Sequence, residues 1–176
     1  MKKNVRYSIW ATFNNKQQKQ LENLKKKINN VLKGPYFSIH MSLCGDLLGE
    51  EKELVKKIRS ISNKLGKFSI KIDNYGCKNT FFQSLYIKVI KNTKLVSQKK
   101  IIDNVFNRQT RFFFPHISLY YGYKHNSIKK KIISNLPTLK KVIKINNLCL
   151  SCREEKKLKW KKEKKLEWSI IKTFQI

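Results

Sequence analysis

Two short stretches hold the residues whose types and spacing could do chemistry. One is Phe37-Ser38-Ile39-His40-Met41-Ser42-Leu43-Cys44-Gly45, the other Phe114-Pro115-His116-Ile117-Ser118-Leu119-Tyr120-Tyr121-Gly122. Both contain His-x-Ser-Leu, with Phe before it and Gly after it. One occurrence of so short a pattern arises by chance. Two copies that use two of the chain's three histidines are a different matter. The remaining histidine, in Tyr123-Lys124-His125-Asn126, has no motif around it and reads as a surface residue.

On a β-strand successive side chains alternate between faces. His40 and Ser42 then point one way and Met41 and Leu43 the other; His116 and Ser118 separate likewise from Ile117 and Leu119. Each strand would bury an apolar pair and present an imidazole and a hydroxyl about 6.6 Å apart. Bringing two such strands together makes a cleft with two imidazoles and two hydroxyls. That set suits the opening of a cyclic phosphate ester. A water must lose a proton as it attacks phosphorus, and the leaving oxygen must gain one. Histidine, with an ordinary pKa of about 6.5, does either job near neutrality. Serine hydroxyls can donate to the non-bridging oxygens as charge builds. The chemistry needs no cofactor and no metal, and no Asp/Glu cluster in the sequence suggests a metal site.

The elements that must position these strands follow from periodicity. Residues 5–13 alternate as an opening strand, with Tyr7, Ile9 and Ala11 against Ser8, Trp10 and Thr12. Residues 17–32 carry Leu21, Leu24, Ile28, Val31 and Leu32 at helical spacing, and Gly34-Pro35 stops that helix. Further helices are expected over 50–65, 94–106 and 127–136, the second of these with Val96, Ile101, Ile102 and Val105 inward and the last capped by Asn126 or Ser127. Strands are expected over 36–44 and 112–121, which hold the motifs, and over 68–75, 80–90, 139–151 and 166–175. No Pro/Gly/Ser linker divides the chain, so its 176 residues are read as one α+β domain. The two halves rhyme around the two motifs.

The formal net charge is +29, with dense patches at 25–27, 129–131 and 156–165. Such a charge attracts RNA and phosphorylated molecules and favours a monomer through self-repulsion. Lysine is abundant together with asparagine and isoleucine, so most of it also fits an AT-biased coding composition. No apolar run approaches the ~20 residues of a membrane span, and the basic start is not followed by the apolar core of a secretory signal. A cytoplasmic enzyme is the expectation. Cys149-Leu-Ser-Cys152 has zinc-ligand or redox spacing but no second pair, and it lies in a strand-like run. Buried reduced thiols are expected there and at Cys44 and Cys77.

On these motifs the sequence resembles the 2H phosphoesterase superfamily, and within it the plant- and yeast-type cyclic phosphodiesterases. Tyr7-Ser8-Ile9-Trp10-Ala11 looks like that family's opening strand, and Gly34-Pro35-Tyr36-Phe37 leads into the first motif similarly. Thr80-Phe81-Phe82-Gln83 is similar to a central aromatic strand, and Leu166-Glu167-Trp168 to a closing one. The resemblance implies a bilobal α+β fold with a pseudo-two-fold axis, two antiparallel sheets around a central cleft and helices outside. It implies hydrolysis of ADP-ribose 1″,2″-cyclic phosphate and nucleoside 2′,3′-cyclic phosphates. His116 would activate water, His40 would protonate the leaving oxygen, and Ser42 and Ser118 would bind phosphate. Phe82 and Tyr121 would contact the substrate, although simple alternation puts Tyr120, not Tyr121, on the His116 face unless the strand bulges. Ile39 stands where a proline is usual and Ser42 where threonine is common. The cysteine positions do not reproduce the plant enzymes' set, so no disulfide is expected.

Two alternatives remain open. One is a related enzyme acting on 2′,3′-cyclic or 2′-5′-linked RNA ends, which the charge favours. The other is a non-catalytic RNA-binding protein on the same fold, which intact histidines and serines in both motifs argue against.

Overall fold

The alternation at the start of the chain forms β1, Val5–Phe13. Asn14 then caps α1, Asn15–Leu32, its side chain accepting from the Gln17 backbone N–H at 2.9 Å. Leu21, Leu24, Ile28 and Leu32 are buried as the spacing predicts, but Val31 is 65% exposed and Lys25 takes the inward place. The structure is a computed structural model and describes residues 5–139, 142–154 and 168–176. The lysine-rich stretch 156–165 and Leu166-Glu167 lie outside the described residues.

The chain continues through β2 (Met41–Leu47), α2 (Glu51–Leu65), β3 (Phe68–Cys77), β4 (Leu85–Val89), α3 (Thr93–Phe106), β5 (His116–Tyr120), α4 (Asn126–Ser134), β6 (Val142–Glu154) and β7 (Ser169–Gln175). This is an α+β fold, as expected. Its strands form a seven-stranded sheet in the order β1-β2-β5-β4-β3-β6-β7, with antiparallel pairing between neighbours. A further antiparallel pairing of β1 with β6 links the first strand of that order to the last but one. The expected two sheets are therefore hydrogen-bonded into one. β6 makes the join on one side, pairing β3 through Val142–Ile145 and β7 through Asn147–Cys152. On the other side β2 meets β5 at the register pair Met41↔Ile117.

Several boundaries shift from the sequence reading, each for a local reason. β2 begins at Met41, because the backbone groups of residues 37–39 bond to side chains of α1 instead of to a strand. Thr110–Phe112 is a short 3-10 turn that delays β5 until His116. Residues 78–84 form a turn closed by the Lys78 N–H on the Gln83 and Ser84 carbonyls, so Phe82 is not in a strand. In α3 the buried side is Leu95, Gln98, Lys99, Ile102 and Asp103, while Val96, Ile101 and Val105 are half-buried. α4 is capped by His125, whose ring accepts from the Ser127 N–H at 3.3 Å.

Met41, Leu43, Ile117 and Leu119 are all at most 2% exposed. Burial of each contributes about 1.5–3 kcal/mol, so the apolar halves of the motifs anchor the two strands to one shared core. Among the described residues no helix is long and apolar enough to cross a membrane.

Candidate active site

The pair Met41↔Ile117 determines what surrounds the polar halves of the motifs. Counting outward along antiparallel strands, His40 falls across from Ser118, and Ser42 across from His116. Directly opposed residues share a face of the sheet. The register thus sets the four predicted residues across from one another on one side of the two strands.

Each imidazole is tethered in the same way. His40 Nδ1 lies 2.6 Å from the Ser38 carbonyl, and His116 Nδ1 lies 2.8 Å from the Phe114 carbonyl. A carbonyl only accepts, so both Nδ1 atoms carry the proton in this bond. Both Nε2 atoms are then left for chemistry, as acceptor in the neutral ring or donor in the charged one.

The first histidine is held hard. Trp10, opposite Ser42 on β1, stacks on the His40 ring at 3.7 Å between centroids and 8° between planes. The run into His40 is pinned by polar residues of α1. Gln18 Nε2 donates to the Ile39 carbonyl at 2.9 Å, the Ile39 N–H donates to Glu22 at 2.6 Å, and Lys25 Nζ donates to the Phe37 carbonyl while pairing with Glu22. Ile39 in place of proline therefore has a use here: proline has no N–H to give Glu22. Burial lowers the His40 pKa to about 4, with nearby His116 and Lys25 adding to the drop against the Ser38 bond. Burial likewise lowers the pKa of Lys25.

The second histidine is more open. His116 is half-buried, with Tyr86 and Phe114 at 5.5 and 5.3 Å between ring centroids. Burial lowers its pKa, opposed by the Phe114 bond and assisted by the charge of Lys78. The serines reverse this order. Ser118 is buried and donates to the Phe82 carbonyl at 3.1 Å, whereas Ser42 is exposed.

The structure places Tyr121 at the cleft by the bulge that simple alternation lacked. Tyr86 pairs with Ser118 but Leu85 pairs with Tyr120, so β5 has an extra residue at Leu119 and Tyr120 turns into the core. Tyr121 then faces the Ser118 side. It stacks on Phe37 at 3.8 Å and meets Phe82 edge-on at 5.2 Å. Burial pushes its phenol up to about 12, with the Ser118 contact opposing. Phe82 reaches the site from its turn at 41% exposure. That turn is propped from below by the buried Lys129, which donates to the Lys78 carbonyl at 2.6 Å and Ser84 Oγ at 3.3 Å. Lys129 belongs to the dense basic patch 129–131, and nothing in the sequence marks it as interior.

Trp10, Phe37, Tyr86 and Lys25 are site-forming residues that motif reasoning did not single out. Trp10 stood on the right face of β1; only the sheet order shows that this face is the cleft. The four cysteines are free, and Cys149 and Cys152 oppose Trp10 and Tyr7, on opposite faces of β6, where they cannot chelate one ion together.

The fold is shared with solved structures. That of Escherichia coli LigT complexed with 3′-AMP matches with a TM-score of 0.62 and 11% identity over 98% of each chain. LigT complexed with NADP+ gives 0.61 and 13%, covering 99% of this chain and 98% of that one. TT0787, a protein of Thermus thermophilus, gives 0.57 and 14% over 97% of each. No family model matches the chain, and no curated protein matches it.

Proposed function

We propose that this protein is a 2H-type phosphoesterase that opens cyclic phosphate esters, with His40 and His116 as its acid/base pair. One observation carries the reading. Two imidazoles, each with Nδ1 committed to a carbonyl, keep Nε2 for chemistry on strands whose register opposes His40 to Ser118 and His116 to Ser42. The shared fold with LigT, and the 3′-AMP and NADP+ named with its structures, support a nucleotide-type substrate. ADP-ribose 1″,2″-cyclic phosphate and nucleoside 2′,3′-cyclic phosphates are the proposed substrates, lying against Phe82 and Tyr121. Free thiols fit a reducing, cytoplasmic setting, and the charge of +29 fits a monomer.

In the reaction, neutral Nε2 of one histidine takes a proton from water as its oxygen bonds to phosphorus. The P–O bond to one ribose oxygen breaks, and that oxygen takes a proton from Nε2–H of the other. Ser42 and Ser118 donate to the non-bridging oxygens. The product is a phosphate monoester, and proton exchange with solvent resets the pair. The resemblance gives water activation to His116. Burial favours the opposite: His40, under Trp10, is the ring held neutral most strongly, and His116 the one that keeps a proton more readily. We assign the base to His40 and the acid to His116.

The test is incubation with ADP-ribose cyclic phosphate and a nucleoside 2′,3′-cyclic phosphate, with and without EDTA. EDTA-resistant ring opening is expected, lost in both His40→Ala and His116→Ala. Normal turnover by either variant would sink the two-histidine mechanism.

A further inference from the structure

Residues 37–39 lie buried or half-buried just ahead of His40, yet they belong to no strand. Buried backbone groups need partners, and here one face of α1 supplies them. Gln18, Glu22 and Lys25 stand at i, i+4 and i+7, the spacing of a single helix face. Both oxygens of Glu22 are engaged. Oε1 accepts from the Ile39 N–H at 2.6 Å, and Oε2 pairs with Lys25 Nζ at 2.6 Å. Lys25, itself 2% exposed, donates onward to the Phe37 carbonyl, and Gln18 donates to the Ile39 carbonyl. Burial works against the Lys25 ammonium, and Glu22 works for it.

The Ile39 N–H is not merely near the Ser38 carbonyl. The two belong to one peptide unit, which is planar and, like every other peptide described in this chain, not cis. In a trans unit the N–H and the C=O point in opposite directions, so fixing one aims the other. Glu22 grips the N–H end, and His40 Nδ1–H bonds to the C=O end at 2.6 Å. A single rigid plate thus joins a carboxylate on α1 to the imidazole. A charged acceptor on the N–H also polarises the peptide, which strengthens its carbonyl as an acceptor. The second motif differs: the described bonds give His116 its Phe114 carbonyl, but the following peptide belongs to Pro115 and has no N–H to grip.

We propose that Glu22 is a positioning residue for His40, acting through the 38–39 peptide to hold the Ser38 carbonyl on Nδ1 and so keep Nε2 as the free acceptor. Its catalytic consequence rests on the phosphoesterase reading; its effect on the ring does not.

Nitrogen-15 spectra of the imidazoles at pH 7 read the tautomer directly. Wild type should show His40 protonated on Nδ1. Glu22→Ala should convert it to a mixture with the Nε2–H form and leave His116 as it was. Glu22→Gln keeps an oxygen for the Ile39 N–H and should keep the wild-type tautomer, a rescue that a merely structural ion pair would not give. Asp103→Asn breaks another buried lysine–carboxylate pair, Lys99–Asp103 on α3, and controls for lost stability. It should leave the His40 ring unmoved. In turnover of a nucleoside 2′,3′-cyclic phosphate, Glu22→Ala should lower kcat about ten- to a hundredfold with little change in KM, and Glu22→Gln much less. Ile39→Pro deletes the N–H, so adding Glu22→Ala to it should cost little more. If proline lowers the melting temperature, the contrast of Gln with Ala at position 22 takes its place. An unmoved His40 tautomer in Glu22→Ala, equal changes at His40 and His116, or the same His40 change in Asp103→Asn would overturn the proposal. If wild type opens no cyclic phosphate, the phosphoesterase reading fails, and the ring spectra alone decide the role of Glu22.

Discussion

The two motifs share a pattern in the sequence and a tether in the structure, yet their surroundings are opposite. At the first, the histidine is buried under Trp10 and its serine is exposed; at the second, the histidine is half-exposed and its serine is buried. The antiparallel register turns this into two ends of one cleft. His40 shares the closed end with Ser118, and His116 shares the open end with Ser42. A repeated sequence thus yields two histidines with different proton affinities. The proposed mechanism starts with one ring neutral and the other charged, and unequal surroundings favour that division.

The sharpest attempt to break this comparison is to remove each ring. His40→Ala and His116→Ala should each lower kcat by about 10²–10⁴-fold, the usual worth of a general acid or base. A nitrophenyl phosphodiester, whose leaving group needs no proton, separates the roles. His116→Ala should recover most of its rate on that substrate and His40→Ala should not. Recovery by His40→Ala instead would reverse the assignment.

The apolar anchors come next. Ile117→Ala should cost about 2–5 kcal/mol of stability, read by urea unfolding, because Ile117 is fully buried at the one register pair between the motif strands.

The proton affinities make a pH prediction of similar size. The His40 pKa falls from 6.5 to about 4 on folding, so the folded state favours the neutral ring. Its contribution of about 3 kcal/mol is fully present above pH 6.5 and is lost as pH falls through about 4. Unfolding free energies from pH 7 to pH 4 should show a decline that Trp10→Ala, by uncovering the ring, reduces. For the free enzyme, kcat/KM should peak between about 4 and 6.5, since both rings titrate below the ordinary value. A maximum above pH 7.5 would contradict this ordering.

The serines give the smallest effects and the most direct contrast. Ser42→Ala removes an exposed hydroxyl and should lower kcat/KM about tenfold or less with no change in melting temperature. Ser118→Ala also removes the hydrogen bond to the Phe82 carbonyl, which should add about 0.5–1.5 kcal/mol of destabilisation. Equal melting temperatures for the two variants would erase the distinction between closed and open ends.

Much of this was legible in the residues themselves. The period-two alternation of Met41 and Leu43, and of Ile117 and Leu119, correctly placed the apolar pairs in the core, because a strand with one buried face has only two ways to point its side chains. The α+β class and the helices followed from spacing for the same local reason. What depends on contacts between distant residues was not legible. Alternation within β5 put Tyr120 on the wrong face, because the bulge at Leu119 is defined only by pairing with β4. Lys25 and Lys129 look like surface charge, and their burial is made tolerable by their partners, the Phe37 carbonyl and Glu22 for Lys25 and the Lys78 carbonyl and Ser84 Oγ for Lys129. The repeat by itself established that two equal sets of imidazole and hydroxyl exist. Which set lies deep and which lies open was decided by the tertiary structure alone, because burial depends on what other strands and helices lay over a residue, and Trp10 covers only one of the two.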